Sequence, residues 1–458
     1  MTPIPQPPAV PLVGNVFNVD PDNTWGSLNA LAKKYGPIFK ISVLGHQIVF
    51  VGNAALTAEI CDEKRFRKCV TGPIVEIRRA VHDSLFTAYA HEESWGIAHR
   101  IMTPQITPDA VQRVFSGMTE TMGDLVQKWT SKTGQRVDLS NDLDRLNHAA
   151  NMLCFFDQRL HCVEGPEPAL IGAMAKATFE AMKRPVRPAF LNWLHQDAFH
   201  KNIRTMRDYG ARIVDHRKAN PSGKKDMLDT LMYGTDPETG KSLTDSQVLD
   251  EIINIFIGSA TAPNLVSFAL YYLMFNRDEI ARAREEIDAV VGAGDGFEHR
   301  HLAQLPYCEA ILREALRLSA TAPGFNIEPV PGSSDPVMLG GEYEIPSKQP
   351  IIAVLSSVNR DPEVFDEPEA FRPARMVGEK YEQLPAAVKK GFGNGKRACF
   401  GTNYAWEWSF LTLVGILKDV DFELADKSYE VDLGGKNFNG AFSVKPLNFF
   451  GLVGPRKR

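Results

Sequence analysis

The segment FGNGKRACFG, residues 392–401, places one cysteine among glycines, just before a helical run over residues 404–417. A thiolate that binds a metal must stay anionic, and the start of a helix supplies free N–H groups and the positive end of a dipole. The glycines let the backbone approach a flat ligand, and Arg397 can pair with an anionic group on that ligand. This spacing predicts that Cys399 is a ligand to the metal of a flat, anionic cofactor.

Two other interpretations of this segment are weaker. A lone cysteine is usually a small buried residue, but the set F-G-x-G-x-R-x-C-x-G would arise by chance in a chain this long on the order of once in 10⁵ sequences. Residues 393–398 also fit G-x-G-x-x-A, with Asp419 about 20 residues further on, as in a dinucleotide-binding fingerprint. No adequate strand precedes that stretch, and it falls near the carboxyl end, so the metal-ligand interpretation is favoured.

A second candidate lies in the longest apolar segment, residues 252–275, which contains no charged residue. Its length would let a helix cross a bilayer, but polar residues in its middle, such as Ser259, make exposure to lipid costly. We therefore expect no transmembrane segment and a helix buried inside the protein. Pro263 has no N–H for the Ser259 carbonyl, which predicts a local break beside Gly258 and Thr261.

Helical periodicity, with apolar residues three and four positions apart, covers most of the chain. It predicts helices at residues 95–102, 110–129, 143–156, 170–182, 202–216, 246–275, 277–291 and 305–318. Two short strands with a turn at residues 44–46 are predicted within residues 37–53, and residues 342–354 are also expected to be extended. The fold class is mainly α with a small β part, and the lack of linkers or repeats predicts a single domain over residues 1–458.

Composition argues against several other classes of protein. A net charge of −5 with scattered basic residues leaves no footprint for nucleic acid. The six cysteines make no CxxC pair, so neither a disulfide scaffold nor a structural zinc site is expected, and a reducing cytoplasm fits best. The amino-terminal sequence MTPIPQPPAVPLVGN has the pattern of neither a signal peptide nor a membrane anchor.

Together these features resemble the cytochrome P-450 family, over essentially the whole chain. The segment 392–401 matches the family's haem loop, and Glu314 and Arg317 match its E-x-x-R helix. Arg375, in the segment FRPAR, resembles the arginine that completes a buried charge cluster with that pair. The resemblance implies a triangular, mainly helical haem protein with a long central helix across the haem, and haem b as cofactor with Cys399 as proximal ligand to the iron.

The same resemblance assigns further contacts to the haem. Trp95 and His99, four residues apart on a helix face, resemble the pair that meets the haem propionates, although alone they would indicate core packing. The implied haem-binding residues are Lys68, Trp95, His99, Phe392, Arg397 and Cys399. Thr261 resembles the alcohol that helps deliver protons to dioxygen, which makes it the catalytic candidate.

Within the family, the chain is most similar to the self-sufficient fatty-acid hydroxylases of bacteria and fungi, whose haem domain is fused to a flavin reductase. This resemblance implies electrons from NADPH through FAD and FMN on a fused or separate reductase. It implies insertion of one oxygen atom of O₂ into a C–H bond of a hydrophobic substrate. Lys389, Lys390 and Lys396 flank the haem loop and are either a basic docking face for the reductase or ordinary solvated lysines.

The chain departs from the family pattern where proton delivery is expected. The family usually has [AG]-G-x-[DE]-T in the long helix, whereas this chain has Ile257-Gly258-Ser259-Ala260-Thr261. Ala260 cannot relay a proton, and Ile257 is expected to place a branched side chain over the haem. Either ordered water or another side chain replaces the acid, or oxygen activation is poorly coupled to substrate oxidation.

The expected substrate entrance is also altered. The fatty-acid hydroxylases hold the substrate carboxylate with an arginine and a tyrosine, and His46 and Phe50 stand at those positions here. A partly protonated histidine attracts a carboxylate weakly, and phenylalanine offers no hydrogen bond. The predicted substrate-binding residues are His46, Phe50, Phe86, Ile257, Ala322 and Phe325, which together suit an aliphatic or aromatic substrate, with a fatty acid as one candidate.

Two alternatives stay open at this point. A haem-thiolate isomerase, dehydratase or peroxide-using enzyme needs no acid–alcohol proton relay, so the loss of the acid is compatible with it. A non-catalytic haem-binding gas sensor would need only ligation and a closed distal pocket. The retained Thr261 favours catalysis by a monooxygenase.

Overall fold

The computed structural model describes residues 2–292, 297–332 and 336–457. The chain is 53% helical with small sheets, which confirms the mainly α fold class. The α-helices of the described residues are α1 (Thr24–Tyr35), α2 (Ala54–Ile60), α3 (Pro73–Val81), α4 (Ser94–Met102), α5 (Pro108–Arg113), α6 (Phe115–Ser131), α7 (Leu139–Phe156), α8 (Ala169–Lys183), α9 (Gln196–Ala219), α10 (Met227–Tyr233), α11 (Asp245–Ser259), α12 (Ala262–Phe275), α13 (Arg277–Val291), α14 (His299–Leu302), α15 (Pro306–Leu318), α16 (Leu355–Val358), α17 (Gly378–Glu382) and α18 (Thr402–Asp419). The strands are β1 (Ile38–Val43), β2 (His46–Val51), β3 (Phe66–Lys68), β4 (Gln135–Asp138), β5 (Gly324–Pro329), β6 (Val337–Leu339), β7 (Tyr343–Ile345), β8 (Ile351–Val354), β9 (Val420–Leu424), β10 (Phe438–Asn439), β11 (Lys445–Pro446) and β12 (Phe450–Pro455).

Every helix predicted from periodicity has a counterpart in the structure, with one correction. The predicted single helix over residues 110–129 is wrong, because the structure divides it into α5 and α6 at Val114. Val114 has φ −98° and ψ 3°, outside the helical region, so the helix is interrupted there. Apolar periodicity continues through this turn, which is why the sequence pattern did not reveal the division.

The long central segment breaks where the sequence predicts. The helix α11 ends at Ser259 and α12 begins at Ala262, with Pro263 in the first turn of α12, where its missing N–H is tolerated best. At the other end, Thr244 and Gln247 form a capping box that starts α11. The whole α11–α12 segment is long and apolar enough to cross a membrane, but 72% of its most apolar window is buried inside the protein. A buried helix is therefore the better description.

The predicted β part belongs to a five-stranded sheet with the order β1-β2-β8-β5-β3. The strands β1 and β2 pair antiparallel, and Leu44 and Gly45 form the turn between them with φ values of 50° and 84°. Residues 342–354 are extended only in part, since β7 pairs with β6 in another sheet and β8 lies parallel to β2. This sheet carries Lys68 on β3 and Phe325 on the neighbouring β5.

The buried charge cluster implied by the resemblance is present. Glu314 and Arg317 on α15 form two hydrogen bonds of 2.7 and 2.8 Å. Arg375 Nε lies 3.5 Å from Glu314 Oε1. Arg317 also donates to three main-chain carbonyl groups between residues 359 and 370. The cluster therefore ties α15 to the chain segment that leads into the cysteine loop.

Candidate haem site

One cavity of about 1730 Å³ extends from the cysteine loop past the break between α11 and α12 to the β1–β2 turn. Every residue predicted to belong to the site lines this cavity. They are His46, Phe50, Lys68, Phe86, Trp95, His99, Ile257, Thr261, Ala322, Phe325, Phe392, Arg397 and Cys399. The structure therefore brings all of them together, and the role of each stays a prediction.

The cysteine loop owes its shape to two glycines. The Cys399 N–H donates to the Phe392 carbonyl oxygen over 2.7 Å, which closes the loop. Gly393 has φ +81°, a conformation that residues with a side chain rarely adopt. Gly395 has φ +62°, and a Cβ added there would overlap the Glu63 carboxylate. The conformation of the loop thus depends on its own glycines and on contacts with Cys61 and Glu63, to which Asn394 Nδ2 and the Lys396 N–H donate over 2.8 and 2.9 Å.

The helix after the loop begins at Thr402, three residues beyond Cys399, as the sequence predicts. Burial raises the pKa of the Cys399 thiol, whereas hydrogen bonds from the Gly401 backbone and the Thr402 side chain lower it. The Gly401 N–H would stabilise a thiolate bound to a metal, whereas the Thr402 hydroxyl donates to the Cys399 carbonyl oxygen over 2.7 Å.

Two partly buried cations, Lys68 and Arg397, face the cavity beside the loop. Lys68 Nζ donates to the Phe86 carbonyl oxygen over 2.5 Å, and Arg397 Nη2 donates to the Ala88 carbonyl oxygen over 3.0 Å. Burial, and then the charge of Arg397, lowers the pKa of Lys68 to about 7. Burial also lowers the pKa of Arg397 to about 10. Neither cation has a carboxylate within ion-pair distance among the described residues, so both lack a neutralising charge.

Trp95 and His99 complete this group of residues. The Arg397 guanidinium lies 5.0 Å from the centroid of the Trp95 ring, and the Trp95 and His99 ring centroids are 5.0 Å apart. Burial, followed by the charges of Arg100 and Arg397, lowers the pKa of His99. The four side chains predicted to meet the propionates therefore lie side by side along one part of the cavity wall.

This arrangement fits a haem. A partly buried ammonium beside a partly buried guanidinium repels it, and two propionates would supply the missing negative charge. Cys399 would provide one anionic ligand, and no group of three or more His, Cys, Asp or Glu side chains in the described ranges is arranged to hold a metal. The remaining ligands to an iron would therefore come from a macrocycle, for which the cavity has room.

On the distal side, two carbonyl groups at the helix break accept hydrogen bonds from side chains. Thr261 Oγ1 donates to the Gly258 carbonyl oxygen over 3.1 Å. The Ser259 carbonyl has no donor on Pro263, and instead accepts a hydrogen bond of 3.2 Å from Asn147 Nδ2. Asn147 lies on α7, far away in sequence, and no local pattern indicated its contribution.

The distal wall is apolar, as predicted. Ile257 is buried at the end of α11, and the Phe86 ring packs edge-on against Phe442 with 5.9 Å between centroids. Phe442 also lines the cavity, but it comes from an irregular segment near the carboxyl end. Because no periodic element contains it, sequence reasoning missed it.

The two residues predicted at the entrance differ in exposure. His46 is exposed at the start of β2. Phe50 is only 2% exposed and stacks on Phe39 with 5.0 Å between ring centroids. Most of the Phe50 ring therefore belongs to the core, and little of it is left for a substrate.

Two arginines at the entrance were not predicted. Arg184 Nε lies 2.6 Å from Glu76 Oε2, and Arg187 forms hydrogen bonds of 2.8 and 3.0 Å with Glu180. Both arginines line the cavity, yet each is neutralised by a carboxylate. The Glu76 partner lies on α3, so sequence spacing gave no sign of this pairing.

Glu251, on the buried face of α11, was also missed. Its carboxylate accepts hydrogen bonds from the Leu85 N–H over 2.8 Å and from Asn254 Nδ2 over 3.1 Å. Burial raises the pKa of Glu251 to about 8, although both donors act in the opposite direction. This side chain links the distal helix to the loop that carries Phe86.

The three lysines near the cysteine loop are not equivalent. Lys389 Nζ donates to two main-chain carbonyl groups of the preceding turn, and Lys390 Nζ donates to Asn394 Oδ1 over 2.7 Å. Lys396 is exposed. Only Lys390 therefore supports the cysteine loop, Lys389 is held by the turn before it, and the expected docking face is weakened because two of its three ammonium groups already have partners.

The fold and the site together define a haem-thiolate protein. A family model described as Cytochrome P-450 matches residues 4–450. The chain belongs to the cytochrome P-450 family.

Several curated fungal proteins are similar to this chain. A self-sufficient cytochrome P-450 monooxygenase of Oidiodendron maius is 33% identical over 98% of the chain and 42% of that protein. Two bifunctional cytochrome P-450/NADPH–P-450 reductases are 36% identical, from Acremonium egyptiacum, and 34% identical, from Aspergillus oryzae. Both matches include 98% of this chain, but only 43% and 41% of the length of the two relatives. It thus spans about two fifths of the length of these relatives, and the resemblance to the self-sufficient subgroup is confirmed.

Proposed function

We propose that this protein is a monooxygenase that inserts one oxygen atom of O₂ into a C–H bond of a hydrophobic substrate. The observation that carries the proposal is the single cavity that joins the Cys399 loop to the broken α11–α12 segment with Thr261. When bound, haem supplies the activation of oxygen, which a thiolate ligand promotes. The cysteine pattern makes a reducing cytoplasm the expected location.

The electrons are proposed to come from NADPH through FAD and FMN on a flavin reductase, either fused to this domain or separate. Support comes from two relatives, 36% and 34% identical to this chain, which are named as bifunctional proteins with an NADPH–P-450 reductase. The exposed Lys396 beside the cysteine loop is available for electrostatic contact with an acidic partner.

Each group of site residues has a task in this proposal. Cys399 holds the iron, and Lys68 and Arg397 pair with the propionates beside Trp95 and His99. The Thr261 hydroxyl holds a water or donates a hydrogen bond on the distal side. Ile257 and Phe86, with Phe442, exclude bulk water from the reacting C–H bond.

The substrate is proposed to be an aliphatic molecule whose head group contributes little to binding. The arginines at the entrance already pair with Glu76 and Glu180, and His46 is exposed to solvent. A fatty acid is therefore one candidate, but its carboxylate lacks the strong anchor of a free arginine. We expect a fatty acid and the corresponding alcohol to bind within about tenfold of each other, a difference of about 1.4 kcal/mol.

A spectral titration tests this proposal. Haem-loaded protein is titrated with dodecanoic acid, dodecan-1-ol, a monoterpene and an alkylbenzene, and the shift of the iron from low to high spin is recorded. Hydroxylated product is then measured with NADPH and a P-450 reductase. We expect a shift and product with both twelve-carbon chains. The absence of a shift and of product with all four compounds would overturn the proposal.

A variant sharpens the assignment of the entrance. His46→Arg introduces a free guanidinium where the fatty-acid hydroxylases have an arginine. It should tighten the binding of dodecanoic acid about tenfold through a charge-assisted contact, and leave dodecan-1-ol unchanged. Equal effects on both compounds would mean that residue 46 does not lie beside the substrate head group.

A second candidate function is supported by Ala260, which stands where the family carries an acid. An enzyme that uses hydrogen peroxide receives both oxygen and protons with that reagent, so it needs no acid relay. Product formed with peroxide at a higher rate than with NADPH, reductase and O₂ would favour this alternative.

A further inference from the structure

A buried polar cluster lies behind the helix break, formed by Asn147 and Asn151 on α7 and Ser259 at the end of α11. The two asparagines are 5% and 0% exposed, and their spacing places them on one face of α7. Asn151 Nδ2 donates to Ser259 Oγ over 2.8 Å, and Asn147 Nδ2 donates to the Ser259 carbonyl oxygen over 3.2 Å. Ser259 itself lines the cavity. This asparagine cluster thus reaches the cavity at the residue next to Ala260.

In these contacts each asparagine uses its amide N–H group and not its amide oxygen. The Oδ1 atoms of Asn147 and Asn151 are buried, and neither accepts a hydrogen bond from any residue that the structure describes. A buried carbonyl without a partner costs about 1–3 kcal/mol, and such groups are commonly satisfied by internal water. Support of the helix break explains the amide N–H groups but leaves both oxygens unexplained. These acceptors beside a serine hydroxyl suit a bound water molecule that donates one O–H bond to an asparagine oxygen and the other to Ser259 Oγ.

We propose that the asparagine cluster binds an ordered water, and that Ser259 Oγ passes protons from this water into the cavity. This path replaces the acid that the family carries at the position of Ala260, and the inference rests on the proposed monooxygenase function. In each transfer, the O–H bond of Ser259 breaks toward an acceptor in the cavity, while an O–H bond of the bound water breaks and a new O–H bond forms on Ser259 Oγ. The hydroxide that remains takes up a proton from solvent, and no electrons move.

The hydrogen bonds of Ser259 permit this transfer. Its hydroxyl donates to the Phe256 carbonyl oxygen over 3.1 Å and accepts its shortest bond from Asn151. Asn147 Nδ2 also lies 3.5 Å from Ser259 Oγ, a longer contact than its 3.2 Å bond to the Ser259 carbonyl oxygen. The bound water takes the place of this longer contact on Ser259 Oγ, and rotation of the hydroxyl redirects its O–H bond. Glu251 is a weaker candidate, because its carboxylate is held by the Leu85 N–H and Asn254.

The first test is structural and needs no turnover. A crystal structure of the haem-loaded protein should show an ordered water within hydrogen-bond distance of Asn151 Oδ1 or Asn147 Oδ1 and of Ser259 Oγ. In Asn151→Leu that water should disappear, whereas the haem should remain bound. A dry cluster in the wild-type protein would overturn the proposal.

The second test measures proton supply with dodecanoic acid as substrate, NADPH and a P-450 reductase. In Ser259→Ala, the peroxide released per NADPH consumed should rise, and product formation should fall on the order of tenfold, since a proton-relay group is lost. The solvent isotope effect on NADPH consumption should change with it. Ser259→Thr keeps the hydroxyl and should restore coupling.

Ser267→Ala is the matched control, because Ser267 is a buried serine of α12 that donates to the Pro263 carbonyl oxygen and does not line the cavity. It should leave coupling and the isotope effect unchanged. If Ser259→Ala also leaves both unchanged while the wild-type protein forms product, the relay is wrong and the proposed function stands. If the wild-type protein forms no product with NADPH or with peroxide, the proposed function fails, independently of the water.

Discussion

The two sides of the cavity are specified by the chain in different ways. On the proximal side, the thiol, the glycines, the arginine and the start of α18 lie within a few residues of one another. On the distal side, the break in α11–α12 is completed by Asn147 from α7, and the apolar wall by Phe442 from near the carboxyl end. Ligation is therefore encoded locally, whereas the handling of protons and substrate depends on packing between distant segments.

The largest expected effect comes from removal of the proximal ligand. Cys399→Ala should abolish both turnover and the red-shifted carbon-monoxide difference band that thiolate ligation produces. Cys162→Ser is the control, because Cys162 is buried away from the cavity and its Sγ donates to the Arg145 carbonyl oxygen, as a hydroxyl also can. Retention of the band in Cys399→Ala would show that another residue binds the iron.

The next effect concerns the structural support of the proximal side. Glu314→Gln leaves Arg317 and Arg375 buried without their carboxylate, and loss of one partner of a buried pair costs about 3–5 kcal/mol. The free energy of unfolding, measured with urea on the haem-loaded protein, should fall by this amount.

Arg300→Ala provides the comparison, since Arg300 pairs with Glu298 on the surface, with side chains 71% and 58% exposed. Such pairs contribute about 0–1 kcal/mol. Equal losses in Glu314→Gln and Arg300→Ala would mean that the cluster on α15 is not a determinant of stability.

A pH-dependent effect tests the distal side. The pKa of Glu251 is about 8 in the folded protein, against an ordinary value of 4.5. As the pH rises, the unfolded chain therefore releases this proton before the folded protein does. The contribution of Glu251 to the free energy of unfolding is thus fully present below pH 4.5, and it decreases as the pH rises from 4.5 towards 8. Glutamine has no carboxyl to ionise, so Glu251→Gln removes this dependence of stability on pH. The free energy of unfolding of the variant minus that of the wild type should therefore increase by roughly 3 kcal/mol between about pH 5 and pH 8.

Unfolding by urea at several pH values checks the Glu251 prediction. The control is Glu285→Gln, because Glu285 is an exposed glutamate on α13. Its difference from wild type should stay constant over the same range. A constant difference for Glu251→Gln as well would show that this carboxyl is ionised in the folded protein.

The sequence predicted most of the long helices, the hairpin and the break beside Gly258 and Thr261, because each depends on local periodicity, a turn or a proline. It did not predict α1, α2, α3 and α10. The site residues predicted from the haem loop and from the family resemblance all line the cavity. Sequence reasoning missed Asn147, Glu251 and Phe442, since their importance arises from contacts between elements far apart along the chain. The division at Val114 was missed for another reason, because apolar periodicity continues through the turn.

The smallest expected effect is that of Ala260→Glu. It distinguishes a distal side in which Ser259 and the asparagine cluster supply protons from one that lacks a proton supply. If Ser259 and the asparagine cluster already supply protons, Ala260→Glu adds a second route to a working one. The peroxide released per NADPH consumed should then change by less than about twofold. In the Ser259→Ala background, the same substitution should restore most of the lost coupling, because the acid would replace the missing relay. A large improvement in the wild-type background would instead mean that the packed distal side lacks a proton supply, and that the family acid is not replaced.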